Sequence, residues 1–222
     1  MTSAPDGSTE SPTAIDSVWT WGLAAFRDRT ASDSATPGGG SAAMVSASIG
    51  LGLVLMALRV SARKGGDAAD ALGPLIIAGD RLLVELSDHA DADIAAFEGY
   101  MAALGLPKAT EEEKALRRTA MRDAVIVATE VPLNAAQSAL EALDVARRAA
   151  PAVSGHIVSD VGAGALLLHA ALQATLLNVD INLPSVKDEI AKADYEKSRH
   201  HLAAAATARV SDINTVVRQR LA

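Results

Sequence analysis

The chain has 222 residues, a net charge of −7 and no cysteine, and half of its residues are hydrophobic although only 3% are aromatic. The negative charge argues against a nucleic-acid-binding surface, and the lack of cysteine excludes disulfides, thiolate metal ligands and cysteine nucleophiles. Most of the apolar content is alanine, leucine and valine. Because alanine and leucine are strong helix formers, the composition predicts an all-α protein.

The N-terminal residues 1–13 are polar and rich in Ser, Thr and Pro. They lack the basic and apolar segments of a signal peptide. We expect them to form a disordered tail, and residues 14–222 to form one helical domain of a cytoplasmic protein.

Hydrophobic periodicity, glycines, prolines and capping residues divide the rest of the chain into about six helices. A capping box of Thr110 and Glu113 marks the start of the fourth helix. The predicted helices cover residues 15–29, 41–64, 67–104, 110–150, 156–178 and 186–220. These elements predict a single-domain helical bundle.

The second and fifth predicted helices are apolar on nearly every side. Ala42 to Leu58 is shorter than the roughly 20 residues of a membrane span and contains Ser46, Ser48, Gly50 and Gly52. We therefore expect two buried core helices and no membrane partner. Covering two such helices in a short chain favours an oligomer, and a homodimer is the simplest one.

The segment "ATPGGGSAAM", Ala35 to Met44, precedes the second helix. One interpretation is a flexible turn, with Ser41 as the helix cap. The other is a binding site, in which the amides of Gly38, Gly39, Gly40 and Ser41 receive an anion or a carbonyl oxygen. No Gly-Lys-Ser/Thr follows, so the segment is not a P-loop.

Six blocks of the sequence resemble a known family. They are "TPGGGSAA", "DIAAF", "GLPKATEEEKALR", "ATEVPL", "IVSDVG" and "NVDIN", in this order between Thr36 and Asn182. Together they resemble the cyclodeaminase/cyclohydrolase family. This family includes the C-terminal domain of formimidoyltransferase-cyclodeaminase and stand-alone methenyltetrahydrofolate cyclohydrolases.

The resemblance implies a tetrahydrofolate that carries a one-carbon unit as the substrate, without a metal or a further cofactor. The first interpretation is hydrolysis of 5,10-methenyltetrahydrofolate to 10-formyltetrahydrofolate. The alternative is a formimidoyltetrahydrofolate cyclodeaminase that releases ammonia. Both reactions require proton transfer and stabilisation of a shifting charge.

Asp160, in the "IVSDVG" block, is the first candidate for the catalytic carboxylate, and Ser159 beside it is a candidate for binding substrate. The alternative role for either residue is to cap the fifth helix. Asp93, in the "DIAAF" block, is the second catalytic candidate. It lies among several acids, most of which we expect to be solvated.

Two asparagines and two lysines complete the candidate substrate-binding set. Asn178 lies eighteen residues after Asp160, about 27 Å along a straight helix. Asn178 and Asn182 are therefore expected to satisfy helix ends, or else to serve another subunit's site. Lys64 and Lys108 are candidates for binding the glutamate tail of folate.

The region from Arg59 to Asp67 departs from the family pattern, because a tyrosine and most of a lysine-rich stretch are absent. The usual Gly-Asn before the Ser-Asp pair is Gly155-His156 here. These changes keep a third interpretation open, namely a non-catalytic module that binds folate or another helical protein.

Overall fold

A computed structural model describes residues 16–63 and 66–222. The tail predicted for residues 1–13 lies outside the described residues. The described residues form six α-helices and no strand, which confirms the all-α prediction. The helices are α1 Leu23–Thr30, α2 Gly39–Ala62, α3 Asp67–Leu104, α4 Glu111–Ala152, α5 Val158–Asn182 and α6 Glu189–Leu221.

The predicted first helix, residues 15–29, is wrong in its first half. The chain forms a short 3-10 turn, Val18–Thr20, and α1 begins only after Gly22. The amide of Val18 donates to Asp91 Oδ1 at 2.9 Å, and Trp19 Nε1 donates to the carbonyl of Ser87 at 2.9 Å. These bonds tie the turn to α3, so tertiary contacts override the local helical pattern.

The start of α4 is as predicted. Thr110 Oγ1 accepts a hydrogen bond from the amide of Glu113 at 3.2 Å, and Glu113 Oε2 accepts one from the amide of Thr110 at 3.1 Å. Three consecutive glutamates, 111–113, occupy the first turn, where negative charge favours the helix dipole. The capping box therefore fixes the beginning of the helix that forms one wall of the site below.

The central pair of the bundle is α2 and α5, which run antiparallel. A side chain on Gly50 would lie 2.8 Å from the carbonyl oxygen of Gly164, so the two backbones touch at this crossing. Beyond it, Ser61 Oγ accepts a hydrogen bond from the amide of Ser154, just before α5, at 2.8 Å. Gly40, at the other end of α2, lies against Asn178 of α5.

The core surrounds this pair, with α3 and α4 packed on it and α6 packed on α4 and α5. Its largest fully buried side chains include Met44, Leu51, Leu55, Leu58, Leu82, Leu86, Leu143, Leu168, Leu172, Leu176 and Ile213. By length and composition alone, Gly39–Ala62 and Gly155–Ser185 are apolar enough to cross a membrane. In the fold, 61% and 44% of their most apolar stretches are buried, so part of each helix remains exposed.

Candidate active site

Asp93 lies where three helices meet. It projects from α3, and its Oδ2 accepts a hydrogen bond from the amide of Ser41 in α2 at 2.9 Å. Its Oδ1 accepts a hydrogen bond from Asn178 Nδ2 in α5 at 3.2 Å. The structure therefore places Asp93, Ser41 and Asn178 in one constellation.

The carboxyl group of Asp93 occupies the space into which a side chain at position 40 would project. A Cβ atom on Gly40 would overlap both Asp93 Oδ1 and Asn178 Nδ2. The third glycine of the Gly38–Gly40 run is therefore required for this close approach.

The first turn of α2 begins two residues earlier than expected. Gly38, with extended backbone, is the N-cap, and Ser41 lies inside the helix, so the prediction of Ser41 as the cap is wrong. The side-chain oxygen of Ser41 is buried and has no hydrogen-bond partner among the described residues. The amides of Gly39 and Gly40 likewise make no hydrogen bond to any described residue. Their N–H groups and the positive end of the helix dipole can receive a polar ligand atom.

A cavity of about 400 Å³ adjoins this constellation. Asp93, Asn178 and Asn182 provide its polar side chains together with Thr36 and Ser185, and Phe97 and Tyr100 provide aromatic rings. The chain has only two phenylalanines and two tyrosines, so one of each lies here. The remaining lining residues are Ala35, Gly38, Gly39, Ala96, Val125, Ala128, Pro132 and Ile181.

The position of Asn182 at the site is explained by a hydrogen bond to the backbone of α4. Pro132 has no N–H, so the carbonyl of Ala128, four residues earlier, loses its helical partner. Asn182 Nδ2 donates to that carbonyl at 2.7 Å. The expectation that Asn178 and Asn182 satisfy helix ends is therefore wrong. Asn178 donates to the carboxylate of Asp93, and Asn182 donates to a backbone carbonyl in the interior of α4.

Burial raises the pKa of Asp93 above its ordinary value of 3.8, and the hydrogen bonds from Ser41 and Asn178 offset part of that rise. Desolvation disfavours the charged carboxylate, whereas donors favour it. A carboxyl group that is accessible from a cavity and has a raised pKa can accept and return a proton nearer neutral pH than an exposed aspartate can.

The structure places the first catalytic candidate elsewhere. Asp160 and Ser159 lie in the first turn of α5, about 27 Å along that helix from Asn178. Neither residue caps α5, since its N-cap is Ile157 and makes no side-chain cap bond, so the capping alternative is also wrong. Within one chain, Asp160 does not reach the cavity that Asp93 lines.

Of the two predicted lysines, the one that the structure describes does not join the cavity. Lys108 is exposed in the loop between α3 and α4, and Lys64 lies outside the described residues. Arg59, in the region that departs from the family pattern, pairs with Asp80 at 2.5 Å. It lies nineteen residues after Gly40, about 28 Å along α2. Arg59 is therefore remote from the cavity in the same chain.

Sequence reasoning did not place Phe97, Tyr100, Pro132 or Ile181 in the site. A signal for three of them was present, because Phe97, Pro132 and Ile181 belong to the blocks "DIAAF", "ATEVPL" and "NVDIN". With "TPGGGSAA", these four blocks line one cavity. Tyr100 carried no such signal.

Within residues 16–63 and 66–222, no group of three His, Asp or Glu side chains is placed to hold a metal ion. The polar groups at the cavity are instead a carboxylate, two amides, two hydroxyls and free backbone N–H groups. This set suits the recognition of a heterocycle with several donors and acceptors, together with proton transfer at one carboxylate.

Comparison with known proteins supports this interpretation. The chain is 34% identical over 165 residues to a methenyltetrahydrofolate cyclohydrolase of Methylorubrum extorquens, covering 73% of this chain and 79% of that protein. It is 33% identical over 174 residues to the formimidoyltransferase-cyclodeaminase of Gallus gallus, covering 78% of this chain but only 32% of that protein.

A solved structure has the same fold. The formiminotetrahydrofolate cyclodeaminase of Thermotoga maritima superposes with a TM-score of 0.80 over 92% of this chain and 100% of that one, at 24% identity. The family model described as formiminotransferase-cyclodeaminase matches residues 22–201. The cavity, the fold and these matches agree, and the chain belongs to the formiminotransferase-cyclodeaminase family.

Proposed function

We propose that this protein is an enzyme of one-carbon folate metabolism that hydrolyses 5,10-methenyltetrahydrofolate to 10-formyltetrahydrofolate. The observation that carries the proposal is the half-buried carboxylate of Asp93, which Ser41 and Asn178 fix at the wall of a cavity. The cyclohydrolase relative adds support, since most of its length matches this chain. The proposal extends to a cytoplasmic location and to a reaction without a metal ion or second cofactor.

The cavity suits the ring system of a folate. The pterin ring presents amide-like donors and acceptors, for which Asn182, Thr36 and the free amides of Gly39 and Gly40 are partners. Phe97 and Tyr100 provide aromatic surface for flat rings. The ligand would thus be held by groups that leave Asp93 available for chemistry.

Asp93 acts as the general base and then as the general acid. A water molecule attacks the cationic methenyl carbon between N5 and N10, and Asp93 takes a proton from that water as the C–O bond forms. The resulting tetrahedral carbon collapses when the bond to N5 breaks, and a proton moves to N5. The formyl group remains on N10, and one proton is released to solvent.

The alternative is the cyclodeaminase reaction, which the name of the Gallus gallus relative favours. There N10 attacks the formimino carbon on N5, and ammonia leaves with a proton that Asp93 could supply. The cyclohydrolase reaction remains the preferred proposal, because the chain covers 79% of the stand-alone relative but only 32% of the bifunctional one.

Two parallel assays test the proposal. Purified protein is mixed with methenyltetrahydrofolate and the loss of its absorbance is followed, with the uncatalysed rate subtracted. Separately, formiminotetrahydrofolate is supplied and ammonia is measured. Turnover of the first substrate alone supports the cyclohydrolase, turnover of the second alone supports the alternative, and binding of either folate without turnover supports a non-catalytic module.

We further propose that the protein is a homodimer that buries the outer faces of α2 and α5. Large apolar side chains on these faces are exposed, including Ile49 at 51%, Leu166 at 53%, Leu177 at 63% and Ile181 at 76%. An exposed apolar face of this extent favours association. Ile181 also lines the cavity, so this face continues into the candidate site.

A two-fold axis across the middle of α5 would give Asp160 a role. Such an axis superposes α5 antiparallel on its copy, so the N-terminal turn of one helix meets the C-terminal turn of the other. Asp160 of the partner subunit would then lie beside the cavity formed by Asp93 and Asn178.

Mixed dimers test this arrangement. Asp93→Asn and Asp160→Asn chains are purified separately, then unfolded and refolded together in equal amounts. If each site uses both subunits, half of the dimers are mixed and each has one intact site, so the mixture recovers about a quarter of wild-type activity. Activity equal to the mean of the two parents, or a fully active Asp160→Asn dimer, contradicts the shared site.

A further inference from the structure

The chain between Val18 and Ser41 is fixed to α3 at both of its ends. The amide of Val18 donates to Asp91 Oδ1, and the amide of Ser41 donates to Asp93 Oδ2, each at 2.9 Å. The two aspartates are two residues apart in α3. This part of the chain therefore leaves α3 and returns to it at nearly the same place.

The middle of this loop, residues 22–36, is held to the protein by few contacts, and we call it the α1 segment. Its helix, α1, has no buried residue, and Leu23 is 79% exposed. Phe26, which is partly buried, is the one hydrophobic side chain of α1 that packs against the core. A segment with so few buried apolar contacts opens at a small cost in free energy.

An arginine and a tryptophan hold the α1 segment in the position that the structure shows. The guanidinium carbon of Arg29 lies 3.9 Å from the centroid of the Trp21 ring. Trp21 packs against the core, but its Nε1 is buried and has no hydrogen-bond partner among the described residues. A cation–π contact of an exposed arginine is weak, and an unpaired buried donor is unfavourable. The α1 segment can therefore leave this position at little cost.

The far end of the α1 segment forms part of the wall of the cavity beside Asp93. Ala35 and Thr36 line that cavity, whereas no residue of α1 does. A ligand in the cavity therefore touches one end of the segment. Contact with the ligand favours the position in which Ala35 and Thr36 remain against it.

We propose that the α1 segment is a lid, which opens to admit the folate and which the bound folate holds closed. The inference rests on the proposed function and adds a conformational step to it. Gly22 and Gly38, the N-caps of α1 and α2, are the hinges, since hinges commonly lie at the ends of helices. The stacking of Arg29 on Trp21 is the latch of the closed lid.

Amide hydrogen exchange measured by mass spectrometry tests the lid, with 10-formyltetrahydrofolate as the probe. In the free protein, residues 23–31 should exchange at least about tenfold faster than residues 202–213 of α6. Saturating ligand should slow the exchange of residues 23–31 about tenfold and leave residues 202–213 unchanged. Because residues 23–31 do not line the cavity, their protection would report closure of the segment and not direct contact with the ligand.

The Arg29→Gln variant tests the latch. It should speed the exchange of residues 23–31 in the free protein and raise the KM for methenyltetrahydrofolate, each about two- to fivefold, and leave kcat within about twofold. Arg27→Gln is the matched control, because Arg27 lies on the same helix and pairs with its neighbour Asp28. It should equal the wild type in both measurements.

Two results overturn the lid alone. One is a ligand that protects residues 93–100 of α3, four of which line the cavity, but does not change the exchange of residues 23–31. The other is an Arg29→Gln protein no different from Arg27→Gln. No protection of any segment, together with no turnover of methenyltetrahydrofolate, overturns the proposed function as well.

Discussion

The Gly40→Ala substitution tests the geometry around Asp93 with a single methyl group. The added Cβ would overlap Asp93 Oδ1 and Asn178 Nδ2, so the carboxyl group must leave its position. The hydrogen bonds from Ser41 and Asn178 to Asp93, at 2.9 and 3.2 Å, would then be lost or lengthened.

The expected loss of stability in Gly40→Ala protein follows from those two hydrogen bonds. Each hydrogen bond to a charged group contributes about 1.5–3 kcal/mol, so losing both costs roughly 3–6 kcal/mol. Alanine is favoured over glycine in a helix by about 1 kcal/mol, which leaves a net fall of about 2–5 kcal/mol in the free energy of unfolding. A displacement of the carboxylate by about 1 Å should also lower kcat/KM about 100-fold.

Urea unfolding followed by circular dichroism and the methenyltetrahydrofolate assay measure both effects. Gly99→Ala is the matched control, because it adds the same methyl group to α3 where nothing lies within 4 Å. It should keep wild-type activity and equal or exceed wild-type stability. Gly40→Ala protein with the activity and stability of Gly99→Ala would refute the packing argument.

Three further predictions concern the same framework. Asn182→Ala removes the donor to the carbonyl of Ala128 and should lower the free energy of unfolding by about 1–3 kcal/mol in urea; an unchanged value would contradict the role assigned to Asn182. Gly164→Ala places a methyl group against the carbonyl of Gly50 and should cost about 1–3 kcal/mol in the same measurement, whereas a stabilised variant would show that α2 and α5 can separate freely. Because burial raises the pKa of Asp93 above 3.8, the folded chain binds more protons than the unfolded chain between the two pKa values. Stability should therefore fall as pH rises through that interval, and Asp93→Asn should flatten this part of the curve; the same slope in both proteins would contradict it.

The helical fold could be predicted from the sequence because helix boundaries are marked by residues close to them in the chain. The capping box at Thr110, Gly105 after the third helix and the long apolar runs predict helix boundaries to within a few residues. The exception is the first predicted helix, where bonds from Val18 and Trp19 to α3 decide the backbone. Such contacts span about seventy residues and leave no periodic pattern in the sequence.

The site was predicted only in part, for a physical reason. The resemblance selected Asp93 and Asp160 together, but it carried no information on which blocks meet in space. Gly40 indicates a close approach without naming the group that approaches, which is the carboxyl of Asp93. The link between Asn182 and the carbonyl that Pro132 leaves free also depends on the packing of α4 against α5.

The turnover of methenyltetrahydrofolate by Asp93→Asn protein tests the central claim most directly. Asp88→Asn is the control, since Asp88 is an exposed aspartate on the same helix. Removing a general base should lower kcat/KM by about 10²–10⁴-fold, and the wild-type rate should rise with pH through the raised pKa of Asp93. The control should retain both the rate and this pH profile. An Asp93→Asn enzyme within about threefold of the wild type, far short of the loss expected for a general base, would contradict the account.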